Sequence, residues 1–443
     1  MTVSVVVSYP GIFMHAQQAA RAFHERGALA SFVTGVVIDQ DGTLARLARR
    51  LPCRLGERVR RECGRRFITE VPRERVVSYP WLETARAALA RYGRNPIYAD
   101  IVWDAMSHRF DAAVARRHFD GASAVHAFEY TAEYSFLEAR RRGLARILAL
   151  PSLDNRETRE IRERETARFP ELRTRHDRHF ERHFARRQAR RSSEIELADL
   201  IIANSEVTRR SHIHAGTNPD KIVALPLAAP PPMARVTKPP DAVRGPLTVV
   251  WAGNFSLGKG AHYFLDAWRG VAATGAAATA RVFGRIAIPE RLLRPLSPGL
   301  QLMGAVTQPE LLAAFEAADV LVFPTLADGF GAVVTEAFSR GLPVITTERA
   351  GACELVERGR NGLIVPAADA SALRDALCWC LDNRRALYEM RFAALATARR
   401  WQWPDYRRRL IDLVATKLRG AGYEVTFDYR PAVTECSRCA SAS

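Results

Sequence analysis

The sequence predicts an α/β chain built as two doubly wound, Rossmann-like domains facing across a cleft. Three observations lead there. Short apolar runs alternate with helical runs along most of the 443 residues, which is the pattern of a parallel sheet covered by helices on both faces. The alternation halts at "AAPPPMARVTKPPDAVRGP", a proline-rich stretch without periodicity that reads as an interdomain linker. It then restarts with a new strand, "LTVVWAG". The boundaries that follow are 1–230 for an N-terminal Rossmann-like domain, 231–246 for the linker, 247–400 for a C-terminal Rossmann-like domain and 401–443 for a C-terminal helix and flexible tail. A ligand is expected in the cleft, at the C-terminal ends of the strands.

The elements justify themselves in order. "SVVVS" is a first strand, and the N-terminus lacks the basic and long apolar regions of a signal peptide. "YPGIFMH" turns into a helix through "AQQAARAFHERG", with Gly27 placed as its C-terminal glycine. "SAVHAF", "RILALPS" and "ADLIIANS" read as strands, and Ser205 is placed to cap the helix after the last of them. Beyond the linker, "LTVVWAG" leads through "NFSLGKG" into helix "AHYFLDAWRGV". "ARVFG" and "LQLMG" are short strands, "QPELLAAFEAA" is helical, and "LVFPTLADGFGAVVTEAFSRGLPVITT" is strand, loop, helix and strand. "NGLIVPA" and "ASALRDALCWCL" complete the pattern; Cys378 and Cys380 sit in that apolar helical run as packing residues.

Hydrophobic residues make up 48% of the chain, and no run of about eighteen uncharged apolar residues exists, so a globular protein without a membrane span is expected. Seven cysteines fit a reducing cytoplasm better than a disulfide framework. The lone C-x-x-C at Cys436 and Cys439 lacks two further zinc ligands nearby. A formal charge of +17 admits nucleic acid, an anionic membrane surface, acidic substrates or a coding bias toward arginine. From Arg46 to Arg66 there are nine arginines and two glutamates, with Leu44, Leu47, Leu51, Leu55 and Val59 at helical spacing around Pro52. Such a segment lies on anionic lipid or packs on its own domain. From Arg156 to Arg191 there are thirteen arginines, seven acids and three histidines, the mixture of a solvated helix with i,i+4 pairs. No aromatic platform or base-reading motif accompanies these segments, so no nucleic-acid partner is expected.

Two motifs carry chemistry. "GNFSLGKG", Gly253 to Gly260, nearly matches a Walker A loop but has Gly260 where that loop needs a hydroxyl for magnesium. A glycine turn between strand and helix still offers N–H groups to a phosphate, and Lys259 adds a cation. Asp328 and Glu336 stand eight positions apart around Gly329-Phe330-Gly331. Carboxylates repel phosphates but accept hydrogen bonds from hydroxyls on either side of them. A diphosphate flanked by hydroxyls is a sugar nucleotide. An acidic first turn favoured by the helix dipole has the same spacing.

The segment "FPTLADGFGAVVTEAFSRGLPVITTERAGACELVERGRNGLIVPAAD" closely resembles the signature of the group 1 (family 4) retaining glycosyltransferases, whose two-domain architecture is called GT-B. "VVWAGNFSLGKGAHYFLDAW" is similar to that family's phosphate loop and helix, and the resemblance runs over roughly 245–385. It implies that Glu336 holds the ribose hydroxyls of a donor nucleotide and that Asp328, standing for the family's usual Glu, contacts the donor sugar. It also implies that N–H groups of Phe330, Gly331 and Ala332 meet sugar or phosphate, and that Lys259 neutralises the diphosphate. Asn254 occupies the place where many members have Arg. In the N-terminal half, "YPGI" matches a glycine loop, with Gly11 approaching the donor phosphate. Phe128 stands where many members carry a His, which leaves Glu129 as the site candidate there. His15 is either a cleft residue or an ordinary helix-start histidine, and His126 belongs to the strand.

The implied protein is a retaining hexosyltransferase without metal or other cofactor, using a nucleotide-diphosphate sugar as co-substrate. Its partners are that donor, a glycan or lipid-linked acceptor and an anionic membrane surface. The expected place is the cytoplasm, peripheral on the inner face of the plasma membrane, in cell-surface polysaccharide synthesis. A catalytically silent nucleotide-sugar-binding subunit, a sugar phosphorylase and an epimerase are the rival readings.

Overall fold

The computed structural model describes residues 3–11, 13–38, 46, 68, 70–80, 84, 89, 96–423 and 427. Apart from Arg46, the arginine-rich segment that ends at Arg66 lies outside the described residues, as do Ile12 and the Cys436–Cys439 motif. Among the described residues no helix is long and apolar enough to cross a membrane.

Two parallel sheets carry the fold. The first holds β1 (Val5–Tyr9), β2 (Leu29–Thr34), β3 (Val76–Ser78), β4 (Ala124–Phe128), β5 (Ala145–Leu150), β6 (Leu200–Ala203) and β7 (Ile222–Ala224), in the order β3-β2-β1-β4-β5-β6-β7. The second holds β8 (Leu247–Ala252), β9 (Ala278–Phe283), β10 (Leu300–Gly304), β11 (Val320–Phe323), β12 (Val344–Thr347) and β13 (Gly362–Val365), in the order β10-β9-β8-β11-β12-β13. Each sheet therefore winds outward from its first strand, then returns and winds the other way. The reversals fall between β1 and β4 and between β8 and β11, which are the topological switch points where open sheets leave a crevice. Central strands such as β11 are buried along their whole length, the continuous apolar pattern of a sheet covered on both faces.

Among the described residues the helices named here are α1 (Met14–Glu25), α2 (Pro96–Arg117), α3 (Glu133–Arg141), α4 (Asn155–Arg168), α5 (Arg175–Leu197), α6 (Glu206–His214), α7 (Ala261–Ala273), α8 (Gln308–Ala317), α9 (Ala332–Ser339), α10 (Ala370–Asp382), α11 (Arg384–Arg400) and α12 (Trp403–Gly420). The chain divides into two compact units. One holds Met1–Leu148, Glu196–Leu200 and Arg407–Ser443; the other holds Ala149–Ile195 and Ile201–Tyr406.

In the first unit α1 ends at Gly27, whose φ of +66° only glycine takes without strain. Its buried face, with Ala16, Ala19, Ala20 and Phe23, packs the sheet. The second unit is centred on Trp251, Phe255, Phe264 and Trp268, all nearly or fully buried. The rings of Trp251 and Phe255 are 4.8 Å apart, at the inclined geometry aromatic pairs favour. Arg391 is buried there and donates to the carbonyls of Ala318 (2.7 Å) and Glu316 (3.0 Å). It thereby satisfies free carbonyls at the C-terminus of α8, where the helix dipole favours a cation. Cys380 is buried and Cys378 half-buried on α10, as packing residues.

The stretch from Arg156 to Arg191 departs from the solvated helix the composition predicts. It forms α4 and most of α5, separated by a 3-10 turn at Pro170–Leu172. Proline lacks the N–H and restricts the residue before it, which breaks the helix. Exposed i,i+4 pairs are present, as between Arg159 and Glu163 at 2.6 Å. Ile161, Glu165, Asp177, Arg187 and Arg190 are nevertheless buried, as is Glu194 one turn further on. Burial is possible because their charges are paired: Arg190 with Glu194 at 3.4 Å and Glu165 with α7 residues.

Candidate functional site

The switch point of the second sheet places two loops together, one after β8 and one after β11. The first runs from Gly253 through a 3-10 turn at Leu257–Lys259 to Gly260, which caps α7 with φ +73°. A Cβ at Gly260 would lie 2.0 Å from the Pro324 carbonyl oxygen. That close approach, with the positive φ, explains physically why the Walker-like motif ends in glycine and not in Ser or Thr. The loops are tied by Leu326 N–H and Thr325 Oγ1, which donate to the Gly258 carbonyl at 3.0 and 3.2 Å.

The second loop carries the paired acids. Asp328 accepts from the Phe330 N–H at 3.2 Å and forms an ion pair with Lys259. Its N–H donates to the Arg349 carbonyl at 3.1 Å. Gly329 passes so close to Pro151 that a Cβ would sit 2.3 Å from the Pro151 oxygen. Its carbonyl accepts from Ser205 Oγ at 2.5 Å and Thr208 Oγ1 at 3.0 Å. Ser205 also caps α6, as the sequence predicts, by accepting from Thr208 N–H at 3.0 Å. Gly331, at φ +83°, caps α9 and leaves no room for a side chain beside the Phe323 ring. Phe330 is buried and Ala332 exposed.

α9 thus opens toward this crevice with first-turn N–H groups that have no carbonyl partner within the helix. Glu336 lies in its second turn, half-buried. Burial pushes its carboxyl above the ordinary carboxylate range, against a hydrogen bond from Gln308. Lys259 lies 5.7 Å from the centre of the Phe323 ring, within cation–π range. Asn254 is exposed, and the neighbouring Phe255 N–H donates to the Arg285 carbonyl at 2.9 Å. Lys259, Asp328, Phe330, Gly331, Ala332, Glu336 and Asn254 all belong to the second unit.

Gly11 and Glu129 belong to the first unit, at the ends of β1 and β4. The Gly11 carbonyl accepts from Thr34 Oγ1 at 3.3 Å, and a Cβ there would meet the Tyr9 ring at 3.0 Å. Glu129 is buried. The next residue, Tyr130, holds φ +73° and donates its hydroxyl to Asp104 at 2.9 Å. Such a backbone is strained for an aromatic residue and persists only where neighbours hold it. Phe128 is buried against Tyr9 and edge-on to His15, at 5.1 Å in both cases. His15 is buried and lowered to about pKa 3, first by burial and then by His126. It is a neutral core side chain, not an exposed helix-start group. His126 is likewise buried and lowered to about 3.

Sequence reasoning missed Glu165, His262 and Tyr263. Glu165 of α4 accepts from His262 Nε2 at 3.0 Å and Tyr263 hydroxyl at 2.8 Å. Burial opposes its ionised form, but those two bonds and the charges of His262 and Arg168 outweigh it and hold the carboxyl below the ordinary range. The signal in the sequence was Ile161-x-x-x-Glu165, a glutamate one turn after the apolar residue of an otherwise charged helix.

Residues 246–383 match the family model described as "Glycosyl transferases group 1". That stretch belongs to the group 1 glycosyltransferases. The putative colanic acid biosynthesis glycosyltransferase WcaL of Salmonella typhimurium is 31% identical over 188 residues, 40% of this chain and 46% of that protein. Probable sucrose-phosphate synthase 5 of Oryza sativa subsp. japonica is 28% identical over 205 residues, 45% of this chain and 19% of that protein. The chain thus spans less than half the length of these curated relatives. Among solved structures, Anabaena Alr3699/HepE in complex with UDP and glucose has a TM-score of 0.59 at 15% identity, covering 94% of this chain and 100% of that one. Sucrose-phosphate synthase from Thermosynechococcus elongatus has a TM-score of 0.61 at 17% identity, covering 95% and 100%. The fold is GT-B, with the group 1 signature on the β8–β11 switch point.

Proposed function

We propose that this chain is a retaining, metal-independent glycosyltransferase. It moves a hexose-type sugar from a nucleoside-diphosphate sugar to a glycan or lipid-linked acceptor in cell-surface polysaccharide synthesis. The observation that carries the reading is the joining, at one switch point, of a cation, a helix N-terminus and two carboxylates: Lys259, the first turn of α9, Asp328 and Glu336. The WcaL and HepE likenesses support the same reading.

In the reaction, the bond between the sugar's anomeric carbon and the diphosphate breaks, and its electron pair leaves on the nucleoside diphosphate. The acceptor hydroxyl oxygen bonds to that carbon, and its proton passes to the departing phosphate oxygen. Negative charge grows on the diphosphate as the bond breaks. Fixed N–H dipoles and Lys259 stabilise that charge without reorganising, which is the economical way to lower such a barrier. Glu336 accepts from ribose hydroxyls, and Asp328 exchanges part of its pairing with Lys259 for a sugar hydroxyl. Gly11 approaches the donor phosphate and the acceptor, Glu129 is the first unit's catalytic candidate, and the arginine-rich 46–66 segment meets an anionic membrane surface.

Turnover of UDP-sugars in the presence of a chelator tests the mechanism. Activity is expected to persist. Loss of activity that magnesium or manganese restores would assign the leaving-group charge to a metal and overturn this role for Lys259.

A further inference from the structure

A cavity of about 370 Å³ lies in the first unit, at the C-terminal edge of the seven-stranded sheet, within the size range of small-ligand sites. Pro10 follows β1, Tyr79 and Pro80 follow β3, and α2 walls the cavity with Met106 and Phe110. Met106 and Phe110 are buried, and the rings of Tyr79 and Phe110 meet edge-on with their centres 6.0 Å apart. The wall is therefore hydrocarbon held in place by packing.

The polar groups at this cavity are of two kinds. Its hydroxyls are already engaged: Ser78 Oγ donates to the Gly35 carbonyl at 2.5 Å, and the Tyr79 hydroxyl is hydrogen-bonded to His118 Nε2 at 2.9 Å. Its charges are not. Arg109 and Arg117 both line the cavity and are exposed, about two turns apart on α2. Neither has a hydrogen-bond or ion-pair partner among the described residues. Among the described residues no carboxylate lines the cavity to offset them. A bare sugar would leave its hydroxyls unmatched against such a wall, whereas a hydrocarbon with an anionic end meets both halves of the lining. The apolar surface also continues beyond the cavity. Tyr98, Ile101 and Ala105 share one stripe of α2 with Arg109, at helical spacings of three and four, and Tyr98 and Ile101 are 57% and 48% exposed.

We propose that this cavity takes the phosphate-bearing end of a lipid, and that the acceptor is a sugar linked through diphosphate to that lipid. The first carbons of the chain lie against Pro10, Tyr79, Met106 and Phe110. Arg109 and Arg117 hold the diphosphate through their planar forks, the geometry in which arginine meets phosphate. Pro10 adjoins Gly11, the loop residue that approaches the acceptor. The rest of the chain follows Ile101 and Tyr98 toward the bilayer that carries it. The role as acceptor site rests on the glycosyltransferase reading; the lipid-phosphate site itself does not. Of a free glycan and a lipid-linked one, the second alone has the hydrocarbon that this wall covers.

Calorimetry on the full chain tests the site, first with UDP and then, at saturating UDP, with farnesyl diphosphate, farnesol and inorganic pyrophosphate. Farnesyl diphosphate is expected to bind at least tenfold tighter than pyrophosphate or farnesol. Arg109→Gln with Arg117→Gln is expected to weaken it tenfold or more, and an unchanged urea midpoint reports that the first unit of this variant is folded. Arg116→Gln with Arg140→Gln, an equal loss of charge outside the cavity, is expected to leave the affinity within twofold. Equal affinity in the parent and the first variant, equal losses in both variants, or no advantage over pyrophosphate overturns the proposal. A parent chain that binds UDP but not farnesyl diphosphate overturns this site alone; one that binds neither overturns the donor reading as well. In turnover, a prenyl-diphosphate-linked sugar is expected to exceed the same sugar free by tenfold or more in kcat/KM. Arg109→Gln with Arg117→Gln is expected to remove that preference, and equal use of the two acceptors by the parent overturns the acceptor role.

Discussion

The two sheets end alike and are furnished differently. At the β1–β4 switch point aromatic rings dominate: Tyr9, Phe13 and Phe128 lie around His15, with Glu129 the one acid directly after β4, and His126 is sealed inside the strand. At the β8–β11 switch point they are charged: Lys259 pairs with Asp328, and Glu336 sits one helical turn inside α9. The topology that opens a crevice is common to both. What the crevice can do chemically is set by the few residues after each strand. Burial acts on both ends but in opposite directions. It holds the histidines neutral by lowering their pKa values, and it raises that of Glu336.

The sharpest way to break this contrast is to remove the cation. Lys259→Ala is expected to lower turnover by roughly a hundred- to a thousandfold, the usual cost of losing one group that stabilises developing negative charge. Affinity for UDP should fall much less, because the charge grows only as the bond breaks. Measured kcat beside the UDP dissociation constant separates the two. Equal losses in both would place Lys259 in ground-state binding only.

Glu336→Ala is expected to have the opposite profile. Losing a charge-assisted contact to ribose should cost roughly 1.5–3 kcal/mol, or about ten- to a hundredfold in UDP affinity. The raised carboxyl pKa adds a pH signature. The carboxylate is the accepting form, so UDP affinity should fall on acidification already above the ordinary glutamate range. Glu336→Gln should flatten that difference, since titration of the nucleotide itself is shared by both proteins. Identical pH profiles for the parent and Glu336→Gln would remove the residue from the ribose site.

The first unit sharpens the comparison through stability. His15 and His126 have folded pKa values near 3, against about 6.5 in an unfolded chain. The unfolded chain therefore binds more protons between these values. Their contribution to stability is complete above about pH 6.5 and is lost as pH falls toward 3. The slope is about 1.4 kcal/mol for each pH unit and each histidine. His126→Phe should remove roughly half of the part of the acid loss that these two histidines contribute, read as the urea midpoint between pH 7 and 5. An unchanged slope would mean that His126 is not held neutral by the fold.

Much of the second unit was legible in the sequence because its signals are local. Gly331 must take a left-handed backbone against Phe323, and Gly260 must lie on Pro324, so each is glycine at a fixed place beside a strand and a helix. The caps at Ser205 and Gly27 were equally local. The arginine-rich stretch misled because composition does not say which charges find partners. Glu165 meets His262 across 97 positions, and Lys259 meets Asp328 across 69.

The sequence by itself determined the alternation of strands and helices, the two glycine loops and the acids that flank them. Backbone conformation and apolar periodicity are written in neighbouring residues, so these were readable without a structure. Only the tertiary structure decided that Lys259 and Asp328 are one ion pair and that His15 is a neutral core residue. It alone decided that α4 buries a glutamate against His262 and Tyr263. Those outcomes depend on burial and on distances between residues far apart in the chain, and the strength of a charge follows from its surroundings.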